Sequence, residues 1–261
     1  MAEHGGFEHN RHGLRVVDHL ERRYPRFRGL NLTYEVRESF MKHHTTYDTP
    51  KGEVPEEFHP EELAVLESQV VAAADEIAYD NHDIDDGLSS GLLEEQDLEE
   101  LALWQRALAL SEKRHGPLSG SMRHVQGVRL LINIMVEDVT ANTLERVIAK
   151  GVKSARDIRE CGEILVGPSE KISREKAALE RYLQEKLYRH YRVCRMANKA
   201  RHFVQQMFGE YVQNPNDLPP DYQETATAEG AHRAAADYIA GMTDRFAQDE
   251  FRRLFHPFER V

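Results

Sequence analysis

The sequence predicts an all-α protein. Three observations carry that prediction: apolar residues recur at helical spacing, β-branched alternation is almost absent, and proline and glycine gather between the periodic segments. The periodicity predicts a first helix over 8–23 and a second over 31–43, ending before the stretch "TTYDTPKGEVPEEFHP" at 45–60. That stretch reads as a solvated connector or a lid. A third helix over 60–84 begins where it ends. Helices over 94–112 and 119–150 are separated by "RHGPLSG", a glycine- and proline-containing turn. A long segment over 172–211, read as broken, lies between "VGPSEK" and "NPNDLPPDY", and a last helix is expected over 229–254. No internal repeat and no low-complexity segment interrupts the series. We read residues 1–261 as a single all-helical domain.

Composition narrows the class. With 261 residues, 40% hydrophobic and 30% charged, the chain can bury a sizeable core and resembles ordinary soluble proteins. No apolar run approaches a membrane span, and the opening residues lack the apolar core of a secretory leader. Cys161 and Cys194 match no zinc or disulfide spacing, which points to a reducing cytoplasm. The formal net charge of −11 weighs against nonspecific nucleic-acid binding, in spite of short basic clusters such as "RMANKARH" at 195–202. An anionic substrate would therefore need a metal or a local group of arginines and lysines.

The stretch "ADEIAYDNHDIDDG" follows the apolar run "VVAAA" and ends the third helix in carboxylates. On a helix, Asp75, Tyr79 and Asp83 stand at i, i+4 and i+8 and share one face, while Val70, Val71, Ala74, Ile77 and Ala78 are expected to turn inward. Three oxygen-bearing side chains one turn apart can line a polar pocket, with a carboxylate that suits a hard cation. A merely solvated acidic face has the same spacing. The adjacent His82-Asp83 pair offers a competing metal site of HD-phosphohydrolase type, with His43 or His44 upstream and Asp138 downstream. The further acidic run "IDDG" and the lack of a second nearby histidine weigh against it.

Five blocks then add what spacing alone does not supply. "GGFEHNRHGLRVVDHLE", "GLNLTYEV", "ADEIAYDNHDIDDGL", "LYRHYRVCRM" and "DYIAGMTDR", in that order, resemble the bacterial deoxyguanosinetriphosphate triphosphohydrolase (dGTPase-like) family of HD-domain proteins. The resemblance runs from about residue 5 to about residue 255 and implies an HD-domain-type helical bundle. It implies hydrolysis of a deoxynucleoside triphosphate, dGTP or another, to the deoxynucleoside and inorganic triphosphate. A divalent metal, Mg²⁺ or Mn²⁺ with Fe or Zn as alternatives, would activate water against the α-phosphorus. Carried over by motif, Asp75 matches the last metal ligand, Tyr79 a residue packing on the deoxyribose, and Asp83 one that hydrogen-bonds the 3′-hydroxyl. His9 falls where the family has a histidine near the reacting phosphate, an imidazole suited to proton transfer. Tyr188 is implied as a sugar or base contact, and Arg181, Arg189 and Arg129 as phosphate contacts, each with an ion pair to one of the 45 acidic residues as the alternative.

The chain also departs from that pattern. The family's first histidine and its His-Asp pair precede the "GGFEHN" block, which here begins at residue 5, so Asp75 is the one expected metal ligand of four. The chain reads as the C-terminal two-thirds of the family fold, N-terminally incomplete. Exposed apolar faces, a homo-oligomeric state and weak autonomous activity are the expectations that follow. The rival reading is a noncatalytic helical subunit that assembles with a complete homologue.

Overall fold

The computed structural model describes residues 1–45 and 53–257. Residues 46–52 of the connection at 45–60, read above as connector or lid, lie outside the described residues. The fold is all-α: among the described residues there is no strand, only single bridges joining Arg22 to Gly29 and Tyr24 to Phe27. The helices in chain order are α1 (His9–Arg15), α2 (Tyr34–Met41), α3 (Leu66–Ser89), α4 (Glu95–Leu98), α5 (Ala102–His115) and α6 (Gly120–Ala149). After them come α7 (Ala155–Arg159), α8 (Glu170–Leu183), α9 (Tyr191–Gln213), α10 (Pro220–Glu229), α11 (Ala231–Ala240) and α12 (Asp244–Phe255). Two π-helical turns, Val16–Leu20 and Gln184–Tyr188, extend α1 and α8.

The chain divides into two compact units, one formed by residues 13–190 and the other by 1–12 together with 191–261. In the first, α3, α5, α6 and α8 pack around Ile77, Ile84, Leu103, Trp104, Leu131, Met135, Leu179 and Leu183, all buried. Apolar positions three and four apart give each helix its inward stripe. Gly127 lets α6 approach α5 closely: a Cβ there would lie 2.6 Å from the buried Trp104 ring. Asn81, buried on α3, donates to its own helix at Ile77 O at 2.7 Å and lies 3.3 Å from the Met135 sulfur of α6.

A charged knot ties α2 to α7. Glu38 is fully buried and accepts from Arg159 at 2.6 and 2.7 Å and from Lys42 at 2.8 Å. Burial alone would push the Glu38 carboxyl up, but the hydrogen bonds and charges of Arg159 and Lys42 outweigh it and hold its pKa below the ordinary value. The remaining Lys42 protons go to the carbonyls of His59 and Glu62 at 3.0 and 2.8 Å, so the buried ammonium is well satisfied.

In the second unit, α9, α10, α11 and α12 surround Met207, Tyr211, Leu218, Ala234, Ala235 and Ala247. Tyr211 and Tyr238 both donate to Glu250, at 2.8 and 3.0 Å, so two phenols inside the cluster share one carboxylate. Residues 1–12 belong to this unit, with contacts to α11 among those that hold them. His4 stacks on His232 at 3.5 Å between centroids, Arg233 donates to the Gly6 carbonyl at 3.2 Å, and His12 lies 3.7 Å from the buried Asp237.

Several expectations shift in detail. The segment over 8–23 is a short α-helix continued by a π-turn, and 94–112 and 229–254 each divide in two. The second division falls at Gly241–Thr243, where Thr243 Oγ caps the following helix by accepting from Phe246 N at 3.3 Å. Helix α7 starts with a capping box between Ser154 and Asp157, and α10 with proline in its first turn; neither was expected from the periodicity. Val70, Val71 and Ala74 are exposed, contrary to the inward placement expected. Ile77 is buried as expected, and the face that α3 buries carries Asp80, Asn81, Ile84 and Gly87 with it, a rotation set by packing on α6 and α8.

Candidate functional site

Helix α3 presents Asp75, Tyr79 and Asp83 along one side, next to its buried stripe at 77, 80, 81 and 84. What faces that side comes from α8 and its π-turn. Lys176 of α8, nearly buried, sits 3.2 Å from Glu76 and 3.4 Å from the fully buried Asp80, and donates to Glu180 on its own helix. Burial opposes the lysine's charge, but the three carboxylates outweigh it and raise its pKa. This clamp fixes the two helices side by side. One turn beyond the end of α8, the π-turn Gln184–Tyr188 delivers the Tyr188 hydroxyl, which donates to the Asp83 carboxylate. Single π-turns commonly re-aim side chains at sites, and here the turn does so for Tyr188.

The result is a carboxylate flanked by two phenol rings. Tyr79 lies 6.5 Å from Tyr188 between centroids, tilted by 59°, and is 45% exposed, so part of its ring is open to a ligand. Burial pushes the Asp83 carboxyl up; the Tyr188 hydrogen bond opposes that shift and the nearby Asp86 adds to it. Burial, and then the charge of Asp83, also raise the Tyr79 phenol. A hydroxyl donor beside this carboxylate would satisfy it without adding charge, and the exposed part of the Tyr79 ring offers an aromatic face next to it. His82 is exposed, one position and about 100° of helix away from Asp83.

Asp75 stands two turns before Asp83, with 56% of its side chain exposed, and its carboxylate is 3.5 Å from Nε2 of His43. His43 also lines a cleft of about 560 Å³ bounded by Gln69, Glu76, Leu63, Val166 and Pro168. Sequence spacing did not join His43 to Asp75, because the two are 32 positions apart on different elements. The alternative assembly around His82 and Asp138 does not form among the described residues. The Asp138 carboxylate instead accepts from the Ser169 amide and hydroxyl at 2.7 and 2.8 Å, at the start of α8. Among the described residues no group of three or more histidine, cysteine, aspartate or glutamate side chains is placed to hold a metal ion. The implied metal therefore does not fit these residues by themselves: Asp75 and His43 make a pair, where a firmly held divalent ion needs more ligands.

The other expected residues are placed separately. His9 opens α1, with 63% of its side chain exposed and Nδ1 3.3 Å from Glu8; it belongs to the unit of 1–12 and 191–261, whereas the tyrosine–aspartate face belongs to the unit of 13–190. Arg181 on α8 and Arg189 just past the π-turn are exposed, and their guanidinium groups form no ion pair or hydrogen bond with the described residues. Arg129 is likewise exposed and unpaired among the described residues, on the side of α6 opposite its buried stripe. No described helix is long and apolar enough to cross a membrane.

Comparison with known proteins bears on this geometry. Residues 166–253, which include α8, the π-turn with Tyr188 and the helices after it, match the phosphohydrolase-associated domain. Over all 261 residues the chain is 44% identical to the deoxyguanosinetriphosphate triphosphohydrolase-like protein of Geobacter metallireducens and 43% identical to that of Geobacter sulfurreducens. In both cases it spans 68% of the relative's length. A protein of the same description from Thiobacillus denitrificans is 43% identical over 256 residues, 98% of this chain and 68% of its own. At that identity and coverage, the chain belongs to the deoxyguanosinetriphosphate triphosphohydrolase-like family.

Proposed function

We propose that this chain provides the deoxynucleoside-recognising part of a dNTP triphosphohydrolase, an enzyme that releases inorganic triphosphate and a deoxynucleoside. The observation that carries the reading is the Tyr79–Asp83–Tyr188 group, in which two phenols from two helical segments flank one carboxylate. In this reading Asp83 accepts the sugar 3′-hydroxyl in place of, or together with, the Tyr188 hydroxyl. The open part of the Tyr79 ring packs on the sugar edge, where an added 2′-hydroxyl would meet an apolar face. Arg181 and Arg189, exposed guanidiniums in the segment that carries Tyr188, are the candidates for the phosphates. His9 is kept as the candidate proton-transfer group, and Asp75 as one carboxylate toward a divalent cation, on the family resemblance. The described residues do not by themselves complete a metal site.

Titration calorimetry with dGTP, the other dNTPs and GTP tests the reading. Tyr79→Ala and Asp83→Ala are each expected to weaken dNTP binding by about 1–3 kcal/mol, the range for a lost buried contact or hydrogen bond. GTP should bind more weakly than dGTP to the unaltered chain, and Tyr79→Ala should narrow that gap. Equal dNTP affinity in both variants and the parent would mean that the group is a structural contact between α3 and the π-turn.

A further inference from the structure

Helix α6 runs for 30 residues, buries Gly127, Val128, Leu130, Leu131 and Met135, and leaves the other side exposed, with apolar side chains among polar ones. Met122, Val125, Val136 and Leu144 on that face are between 47% and 59% exposed. A helix with only one buried side normally turns charge to water on the other. Here the outward seam at 122, 126, 129, 133, 137, 140 and 144 carries only two charged groups, Arg129 and Glu137. Both are exposed, and neither they nor Asn133 form an ion pair or hydrogen bond with the described residues.

The seam's steps of four, three, four, four, three and four residues read the same in either direction. A second α6 laid antiparallel with Asn133 on the two-fold axis therefore meets the first in register. Met122 then faces Leu144, Gln126 faces Thr140, Arg129 faces Glu137, and Asn133 faces its own copy. Apolar meets apolar, amide meets hydroxyl, cation meets anion, and amide meets amide. We propose that this face of α6 is a two-fold interface between two copies of the chain, a seam ~33 Å long at the helical rise per residue. The family resemblance implied a homo-oligomer without saying which surface pairs; the self-complementary charge pattern identifies it. The inference does not rest on the nucleoside site, so either can fail without the other.

Sedimentation velocity over a range of concentrations tests it on the full chain. The parent is expected to dimerise. Arg129→Glu and Glu137→Arg each create two like-charge contacts per dimer and should raise its dissociation constant at least about tenfold. The double variant Arg129→Glu/Glu137→Arg swaps the charges and should restore pairing. In a background with Cys161→Ser and Cys194→Ser, Asn133→Cys should form a disulfide dimer on mild oxidation, and Glu145→Cys, which lies off the seam, should not. Thermal melts confirm that each variant is folded. A monomer at every concentration, or a dimer indifferent to both single reversals, overturns the proposal. So does failure of the double variant to restore pairing, since another partner or another face would then cover α6.

Discussion

At Asp83 a carboxylate sits beside two phenols, with one hydroxyl among the described residues donating to it, and burial raises its pKa above the usual 3.8. A raised carboxyl contributes most to stability below its unfolded pKa, and that contribution is lost as pH rises through the folded value. At neutral pH the ionised side chain is therefore a net burden on the fold that a bound hydroxyl would relieve. Asp83→Asn keeps an acceptor for Tyr188 and removes the charge. It is expected to melt at a higher temperature than the parent at pH 7.5, with the difference vanishing as pH falls below the carboxylate range. Lower stability of Asp83→Asn at pH 7.5 would mean that Tyr188 and solvent already satisfy the charge. The i, i+4, i+8 spacing of Asp75, Tyr79 and Asp83 was legible in the sequence because helical geometry alone fixes it. The Tyr188 contact was not legible in that way: it bridges 105 positions and depends on a π-turn, which no periodicity announces. Family resemblance named Tyr188, and packing of α8 on α3 explains it.

Between elements, α5 and α6 come close at Gly127 and Trp104. By intrinsic propensity alone, Gly127→Ala should stabilise a helix interior by about 1 kcal/mol. The added methyl would instead overlap a fully buried indole, and overpacking costs about 1–3 kcal/mol. The net expectation is destabilisation, read as a lower midpoint in urea with an unchanged slope. A higher midpoint would show that the indole can shift. Helix existence was legible wherever an apolar stripe ran for several turns, as in α3, α5, α6 and α9. Rotation about the axis was not. Val70 and Val71 look inward in a local reading, yet the buried side of α3 is the one that meets α6, α8 and Lys176 through its own Asp80. Short elements such as α7 were hidden as well, because a capping box inside a charged stretch gives a weaker signal than a repeated apolar stripe.

For the molecule as a whole, the sequence announced an acidic all-helical protein but not its division into two units. Nothing in local pattern reveals that residues 1–12 and 191–261 share one unit while 13–190 form the other, since the contacts responsible, such as His12 with Asp237 and His4 with His232, join the two extremes of the chain. That arrangement orders events in time. The continuous unit can nucleate on nearby contacts such as the α5–α6 hairpin, whereas the discontinuous one must first bring together segments separated by the whole of the other. Closing so long a loop carries an entropic cost that local pairs do not meet, and collapse of the intervening chain lowers it. In refolding followed by pulsed hydrogen exchange, amides of α6 should become protected before those of α11, and the fluorescence of Trp104, the single tryptophan, should recover with the earlier phase. During synthesis the same order holds for a different reason: residues 1–12 leave the ribosome before the whole of 13–190, yet their partners on α11 emerge only after it, so the discontinuous unit waits for the continuous one.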